Sequence, residues 1–202
     1  MGLRDTDVKV KICGMTNLKD ALAAVEEGAD AIGFIFYKKS PRSVTMKTVR
    51  EIVLQLPTFV DAVGVFVNES AEQINKISDS CKLDRVQLHG DESPSFCKKI
   101  NRRVIKAFRV KDMQSLKKLS DYSVSSFLLD TFSEDQHGGT GKVFDWNLAH
   151  PAKKYGPIIL AGGLTPYNVR QAIQRIQPYG VDVCSGVESQ PGTKDHKKCK
   201  LL

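Results

Sequence analysis

The chain has 202 residues, of which 41% are hydrophobic and 26% are charged, and its formal net charge at pH 7 is +7. These values are typical of a globular chain that can bury a sizeable core, and we expect a single domain over residues 1–202. The basic residues are spread along the chain without interleaved aromatic residues and no apolar run is long enough to cross a bilayer, so we expect neither a nucleic-acid partner nor a membrane span.

Short runs with the composition of buried strands alternate with segments of helical periodicity. The predicted strands are Val8–Ile12, Ala31–Phe36, Ala62–Val67, Arg85–Leu88, Val104–Phe108, Phe127–Asp130, Ile158–Ala161 and Val181–Cys184. The predicted helices are Leu18–Glu27, Met46–Leu56, Ala71–Ser80, Pro94–Ile100, Met113–Leu119 and Tyr167–Ile176. No change in composition divides the series into separate domains.

A strand followed by a helix, about eight times, predicts a parallel sheet. Several runs, such as "AIGFIF" and "FLLD", are apolar at consecutive positions, as expected of strands buried on both faces. An open doubly wound sheet is the alternative, but the glycine-rich dinucleotide loop that usually follows its first strand is absent from "KICGMTN". The pattern therefore favours a closed (β/α)8 TIM barrel. Few residues follow the eighth strand, so the final helix is expected to be short or truncated.

Polar or reactive residues come directly after the predicted strands. They are Cys13, Arg42, Asn68, His89, Arg109, Asp130, Gly162, Gly163, Ser185 and Gly186. The active site of such a barrel lies at the carboxyl ends of its strands. These positions therefore predict an active site at that end of the barrel.

Three consecutive loops late in the chain contain glycine. They are "QHGGTGK", with Gly139 and Gly141, "LAGGLTPYN", with Gly162 and Gly163, and "VDVCSGVE", with Ser185 and Gly186. In the second loop, Thr165 is the predicted N-cap of a helix and Pro166 its first residue. Glycine lets backbone N–H groups approach an anion, and the last loops of such barrels commonly bind phosphate. We expect a phosphate site here.

Cys13 and Asp130 follow strands one and six, which are well separated around the ring of a barrel. Their side chains are therefore expected to face one another across its mouth, where a thiolate and a carboxylic acid form a base–acid pair. The thiol needs a lowered pKa to act near neutrality. Arg42 lies in a loop stiffened by Pro41, where a guanidinium can bind a ligand carboxylate through two parallel hydrogen bonds.

The five cysteines are odd in number and include no C-x-x-C pair, which disfavours a disulfide framework and a zinc site. The first ten residues have no apolar signal region, so we expect reduced thiols in a cytoplasmic protein. Cys81, Cys97 and Cys199 fall on helical segments and are expected to be packing or exposed thiols.

A set of motifs extends over almost the whole chain. They are "VKICGMT", "GADAIGFIF", "SPRSV", "GVFVN", "VQLHGDE", "LLD", "GGTGKVFDW", "LAGGLTPYNV" and "DVCSGVES". In this order they resemble the phosphoribosylanthranilate isomerase family of tryptophan biosynthesis. The combination of "KICG", "GGTGKVFDW" and "SGVE" is specific, and the resemblance implies a TIM barrel that requires no metal or organic cofactor.

The resemblance also implies the reaction, an Amadori rearrangement of N-(5-phosphoribosyl)anthranilate to 1-(2-carboxyphenylamino)-1-deoxyribulose 5-phosphate. Asp130 would protonate the furanose ring oxygen, and Cys13 would remove the proton from the adjacent sugar carbon. Arg42 would hold the anthranilate carboxylate, while His89 and Asp182 would lie near the substrate. The phosphate would be held by backbone groups of Gly139, Gly141, Gly162, Gly163, Ser185 and Gly186.

Two features depart from the family pattern. Cys184 stands where the family usually has a serine. The chain also ends sooner after its last strand than is usual, so apolar barrel surface is expected to be exposed there or to be hidden in a dimer. We expect a monomer or a homodimer.

Two other functions stay open. A sugar-phosphate lyase or a ring-closing synthase would use a lysine at the barrel mouth, and the candidate, Lys106, precedes the end of its strand. A barrel that binds a phosphorylated ligand without converting it is the second alternative, against which Cys13 and Asp130 argue.

Overall fold

Parallel strands close into a barrel in the computed structural model of the protein, which describes residues 8–131 and 146–202. Neighbouring strands pair in chain order, and β1 closes the ring against β8. The strands are β1 Lys9–Ile12, β2 Ala31–Ile35, β3 Asp61–Phe66, β4 Arg85–Leu88, β5 Arg103–Val110, β6 Ser126–Thr131, β7 Ile158–Leu160 and β8 Gly180–Val183. The predicted TIM barrel is confirmed.

Helices alternate with the strands. They are α1 Leu18–Glu26, α2 Met46–Val53, α3 Ala71–Ser80, α4 Pro94–Cys97, α5 Met113–Lys117, α6 Ala149–Ala152, α7 Val169–Ile176 and α8 His196–Lys200. Most begin at a side chain that accepts a hydrogen bond from a backbone N–H of the first turn, namely Asn17, Thr45, Ser70, Ser93, Asp112 or Asp195. In the part of the chain that the structure describes, no helix combines the length and the apolar character needed to cross a membrane.

The regular helix α7 begins at Val169, two residues beyond the predicted start, with Asn168 in the cap position but without a side-chain capping bond. The predicted cap residue, Thr165, does make capping contacts: its Oγ1 accepts from Tyr167 N at 3.3 Å and its carbonyl oxygen accepts from Val169 N at 3.0 Å. Asn168 Oδ1 in turn accepts from Thr165 N at 2.8 Å, and its Nδ2 donates to Gly163 O at 3.0 Å. Residues 166–168 therefore form a capped turn that leads into the helix.

Apolar side chains fill the barrel on both sides of its strands. The larger cluster lies between the strands and the helices and includes Phe34, Phe66 and Phe127. A smaller cluster is formed by Val63, Ile105, Ala107, Leu128, Ile159 and Ala161. This arrangement confirms that the strands are buried on both faces.

The final helix, α8, is short, as predicted, but the apolar surface beside it is covered. A hairpin of β9 (Glu188–Gln190) and β10 (Thr193–Lys194), not predicted from the sequence, precedes α8. Asp20 of α1 accepts from Lys194 N at 2.8 Å and lies 2.8 Å from His196 Nε2. These contacts dock the end of the chain on α1, and Val181 and Val183 of β8 are each only 1% exposed. The expected exposed patch is therefore wrong.

Candidate active site

A cleft of about 740 Å³, open to solvent, lies at the carboxyl ends of the barrel strands. The predicted site residues that line it are Cys13, Arg42, His89, Asp130, Gly162, Gly163, Asp182 and Ser185. Cys13 and Asp130 follow or end strands that are separated by β7 and β8, so they reach the cleft from different sides. Gly186 is not among the lining residues, and Gly139 and Gly141 lie outside the described residues.

Cys13 directly follows β1, and only 5% of its surface is exposed. Its backbone N–H donates to Val183 O at 2.9 Å, which fixes its position against β8. Gly33 of β2 leaves room for the sulfur: a Cβ at that position would lie 2.7 Å from Cys13 Sγ and 3.0 Å from Lys11 Nζ. The thiol and the ammonium group therefore share the space that a side chain at residue 33 would fill.

Neighbouring groups set the ionisation of Cys13. A hydrogen bond with the Cys184 thiol favours the thiolate, burial opposes it, and the Lys11 ammonium group favours it, which together lower the pKa of Cys13 to about 6. The same contact with Cys13, together with burial, raises the pKa of Cys184. The contact therefore favours the proton on Cys184 and the thiolate on Cys13, the form that a general base requires.

Lys11 and Asp182 form a buried ion pair beneath the cleft. Lys11 Nζ donates to Asp182 Oδ1 at 2.8 Å, and the β1–β8 register places the two residues opposite one another. Burial disfavours the charged lysine, but Asp182 and the Cys13 sulfur hold the pKa of Lys11 above its usual value. Asp182 therefore lines the cleft as expected and also holds a cation near the sulfur. The sequence signal for Lys11 is a lysine inside a strand predicted to be buried.

Asp130 lies beside His89 on the far side of the cleft. His89 Nε2 is 3.2 Å from Asp130 Oδ2, without the alignment of a hydrogen bond. Gln87 Nε2, a donor, is 3.0 Å from His89 Nδ1, which leaves the proton of a neutral imidazole on Nε2, facing the carboxyl group. His89 is thus placed to orient Asp130.

Arg42 makes its two-bond contact with a side chain of the protein itself. Its Nε and Nη2 donate to Glu188 at 2.9 Å and 2.7 Å, although the sequence suggested this grip for a ligand carboxylate. The hydrogen bonds to Glu188 outweigh burial and raise the pKa of Arg42. Because Glu188 occupies Nε and Nη2, Nη1 is the guanidinium nitrogen that has no partner among the described residues.

Lys194 connects Glu188 to the strand ends and is not predicted from the sequence. Its fully buried Nζ donates to Glu188 Oε1 at 3.0 Å, to Cys13 O at 2.6 Å and to Cys184 O at 3.2 Å. Burial raises the pKa of Glu188, but Arg42 and Lys194 outweigh it, so the net shift is downward. One ammonium group thus ties the β9–β10 hairpin to the backbone of both cysteines.

The late glycines shape the cleft wall. Gly162 and Gly163 have φ of 80° and 67°, values that favour glycine over other residues. A Cβ at Gly186 would lie 1.9 Å from Leu164 O, so only glycine allows the two loops to approach so closely. This contact holds the loop after β8 against the loop after β7, where the phosphate site is expected.

Three other residues at the strand ends do not line the cleft. Asn68 Oδ1 accepts from Asp91 N at 2.7 Å and shapes the loop after β4. Arg109 Nη2 lies 3.4 Å from Asp91 Oδ1. Lys106 Nζ is 2.9 Å from Glu92 Oε2 and 2.7 Å from Gly90 O. The lysine that would support a lyase or a synthase is therefore used inside the structure.

We expect Lys194→Met to lower the free energy of unfolding by about 3 kcal/mol, the low end of the range for a broken buried ion pair. The low end applies because Arg42 still neutralises Glu188 after the substitution. Denaturant unfolding with an unchanged m-value measures the loss. Lys197→Met, at an exposed position of α8, is the control and should change stability by less than about 0.5 kcal/mol. Equal midpoints for the two variants would contradict the structural role of Lys194.

The comparisons with known proteins agree with the fold. Residues 10–202 match the family model of N-(5'-phosphoribosyl)anthranilate (PRA) isomerase. The chain is 57% identical over 192 residues to the N-(5'-phosphoribosyl)anthranilate isomerase of Geotalea uraniireducens, a match that covers 95% of each chain.

Solved structures give the same result. Phosphoribosyl anthranilate isomerase from Thermotoga maritima is 46% identical, with a TM-score of 0.89 and 96% of each chain covered. A second phosphoribosyl anthranilate isomerase structure, in complex with reduced 1-(o-carboxyphenylamino)-1-deoxyribulose 5-phosphate, is 44% identical, with a TM-score of 0.86 and coverage of 96% of this chain and 95% of that one. The chain belongs to the N-(5'-phosphoribosyl)anthranilate isomerase family, the isomerases of tryptophan biosynthesis.

Proposed function

We propose that the chain converts N-(5'-phosphoribosyl)anthranilate to 1-(2-carboxyphenylamino)-1-deoxyribulose 5-phosphate, with Asp130 as general acid and Cys13 as general base. The observation that supports these roles most strongly is the position of both groups in one cleft, with the sulfur next to a buried ammonium group. A base with a lowered pKa and a separate acid are what an aldose–ketose rearrangement requires.

The reaction then proceeds by ring opening, proton abstraction and tautomerisation. The protonated Asp130 gives its proton to the furanose ring oxygen while the C–O bond breaks, and the lone pair of the anthranilate nitrogen forms an iminium ion. The Cys13 thiolate removes the proton from the adjacent sugar carbon, and the C–H electrons move into the iminium to give an enolamine. Proton loss from the hydroxyl of the enolamine and protonation of its other carbon give the ketone.

Binding groups lie on both sides of these two residues. Nη1 of Arg42 is the donor available for the anthranilate carboxylate, and Glu188 keeps the guanidinium in place. The loops that contain Gly162, Gly163 and Ser185 offer backbone groups to the phosphate. His89, whose Nε2 is 3.2 Å from Asp130 Oδ2, lies beside the acid.

The residues that line the cleft also distinguish the isomerase from a lysine-dependent lyase or synthase. Among the described residues that line it, none is a lysine. Lys11 and Lys106 are each paired with a buried carboxylate, so neither is a free amine for a Schiff base. This observation favours acid–base isomerisation over the lysine-dependent chemistry of lyases and synthases.

The test of the proposed activity uses the fluorescence of the anthranilate group. Purified protein added to freshly made N-(5'-phosphoribosyl)anthranilate should cause a first-order decay of the substrate signal, and chromatography should show a product of the same mass as the substrate. A decay no faster than in the absence of protein would contradict the proposal. If the protein instead bound the substrate without consuming it, the barrel would be a binding protein.

The pH dependence of the rate follows from the ionisation of Cys13. Because its pKa is lowered to about 6, the thiolate is present above that pH and is lost as the pH falls through it, so kcat/KM should decline on the acid side near pH 6. Cys184→Ala removes the thiol that hydrogen-bonds to the sulfur and should move this decline to higher pH. Cys199→Ala, remote from the cleft, is the control. If kcat/KM declined at the same pH in the wild type, Cys184→Ala and Cys199→Ala, Cys13 would not be the group whose ionisation limits the rate.

A further inference from the structure

Two cysteines occupy equivalent positions at the mouth of the barrel. In the β1–β8 register Lys11 lies opposite Asp182 and Ile12 opposite Val183, so the next pair in line is Cys13 and Cys184. Neighbouring strands of a sheet are about 4.8 Å apart. A disulfide joins residues whose Cα atoms are about 4.4–6.8 Å apart, so two cysteines at this spacing can be bridged. Both side chains line the same cleft.

The two thiols are neighbours that influence one another. The Cys184 thiol favours the thiolate of Cys13, and Cys13 in turn raises the pKa of Cys184. Lys194 Nζ holds the carbonyl groups of both residues, at 2.6 Å and 3.2 Å, and so fixes the two backbones relative to one another. The remaining cysteines, Cys81, Cys97 and Cys199, are buried elsewhere and do not line this cleft.

We propose that Cys13 and Cys184 form an oxidisable dithiol site that takes a peroxide as co-substrate and closes to a reversible disulfide. Its formation needs only the two sulfurs and the peroxide. Its effect on activity rests on the proposed function, because a disulfide would occupy the sulfur that acts as the general base.

Disulfide formation takes two steps. The Cys13 thiolate attacks one oxygen of hydrogen peroxide, the O–O bond breaks, and the leaving hydroxide takes up a proton to become water. The resulting sulfenic acid is attacked by the Cys184 sulfur, which gives up its proton, and the S–O bond breaks with loss of a second water. Two electrons pass from the two sulfurs to the peroxide, and a dithiol reductant reverses the reaction.

The unequal ionisation of the two thiols suits this order of events. Cys13 has the lowered pKa and reacts first, whereas Cys184 keeps its proton until the sulfenic acid has formed. Cys184 would also protect the base, because a sulfenic acid that finds no second thiol is oxidised further to forms that thiols do not reduce. The cleft is open to solvent, so a small peroxide can reach the sulfur.

The test treats the 202-residue chain with excess hydrogen peroxide, followed by dithiothreitol. It compares the wild type with Cys184→Ser and with Cys199→Ala as the matched control. Peptide mapping without reductant should show a Cys13–Cys184 linked peptide, two hydrogens lighter than its reduced parts, in the wild type and in Cys199→Ala. Both should lose activity and regain most of it with reductant, each relative to its own reduced form. Cys184→Ser should regain a much smaller fraction.

Absence of the linked peptide from peroxide-inactivated wild type, or a Cys184→Ser variant that recovers as fully as the wild type, would overturn the proposal. Resistance of the wild type to peroxide that oxidises Cys13 in Cys184→Ser would also overturn it. The peptide map does not depend on turnover, so it tests the disulfide even if the chain does not isomerise N-(5'-phosphoribosyl)anthranilate. It also needs no variant, so it stands if Cys184→Ser does not fold.

Discussion

Cys13→Ala is expected to lower kcat/KM for N-(5'-phosphoribosyl)anthranilate by about 10²–10⁴-fold, the usual contribution of a positioned general base. The sulfur is the group that removes the proton from the sugar carbon. Of its ionisable neighbours in the cleft, Asp182 is paired with Lys11, and burial disfavours the thiolate of Cys184. Ring opening by Asp130 can still occur, but without a positioned base the iminium ion reaches the enolamine only slowly. The initial rate of fluorescence decay measures the loss.

The control for Cys13→Ala is a cysteine that is buried but remote. Cys199 of α8 is 6% exposed, close to the 5% of Cys13, and lies outside the cleft. Cys199→Ala should therefore retain activity, and both variants should show the same secondary structure as the wild type by circular dichroism. A Cys13→Ala variant within tenfold of the wild type would remove Cys13 from its role.

Asp130→Asn is expected to have an effect of similar size, a loss of about 10²–10⁴-fold in kcat/KM, for a different reason. The amide has the shape of the carboxylic acid and keeps the contact with His89, but it has no acidic proton to give to the ring oxygen. The ring should therefore stay closed. Binding of the reduced product analogue, which is already open, should change much less than turnover.

Asp91→Asn is the matched control for this substitution. Asp91 is a carboxylate in the loop after β4, its side chain is 73% exposed, and its partner is Arg109 outside the cleft. Loss of one surface charge there should leave kcat/KM nearly unchanged. If Asp130→Asn retained the wild-type rate, another group would have to be the acid.

Local patterns in the sequence predict the architecture of the protein well. The strand runs are recognisable because both of their faces are buried, and in a barrel every strand end points to the same rim. It follows that residues directly after strands, such as Cys13 and His89, meet at one cleft. Side chains two residues apart on a strand point to the same side. The contact between Gln87 and His89 is therefore also predictable from the local pattern.

The supporting groups could not be predicted in this way. Lys11 pairs with Asp182, Arg42 with Glu188, and Lys194 with the carbonyl of Cys13, which are contacts across 171, 146 and 181 residues. These contacts depend on how the last barrel strand pairs with the first. They also depend on the β9–β10 hairpin, whose short polar strands lack the alternating apolar residues by which a strand is recognised. Thr165 illustrates an error of boundary only, because its Oγ1 accepts from Tyr167 N as a capping residue does, whereas the regular helix begins at Val169.

The role of Cys13 as general base is tested most directly by two titrations of the same protein. The rate of alkylation of Cys13 by iodoacetamide, followed on its peptide by mass spectrometry, reports the thiolate, and kcat/KM reports the base. If Cys13 is the base, both should fall together as the pH is lowered, with a common midpoint near pH 6. Turnover that stayed constant while the Cys13 thiolate disappeared would contradict that role.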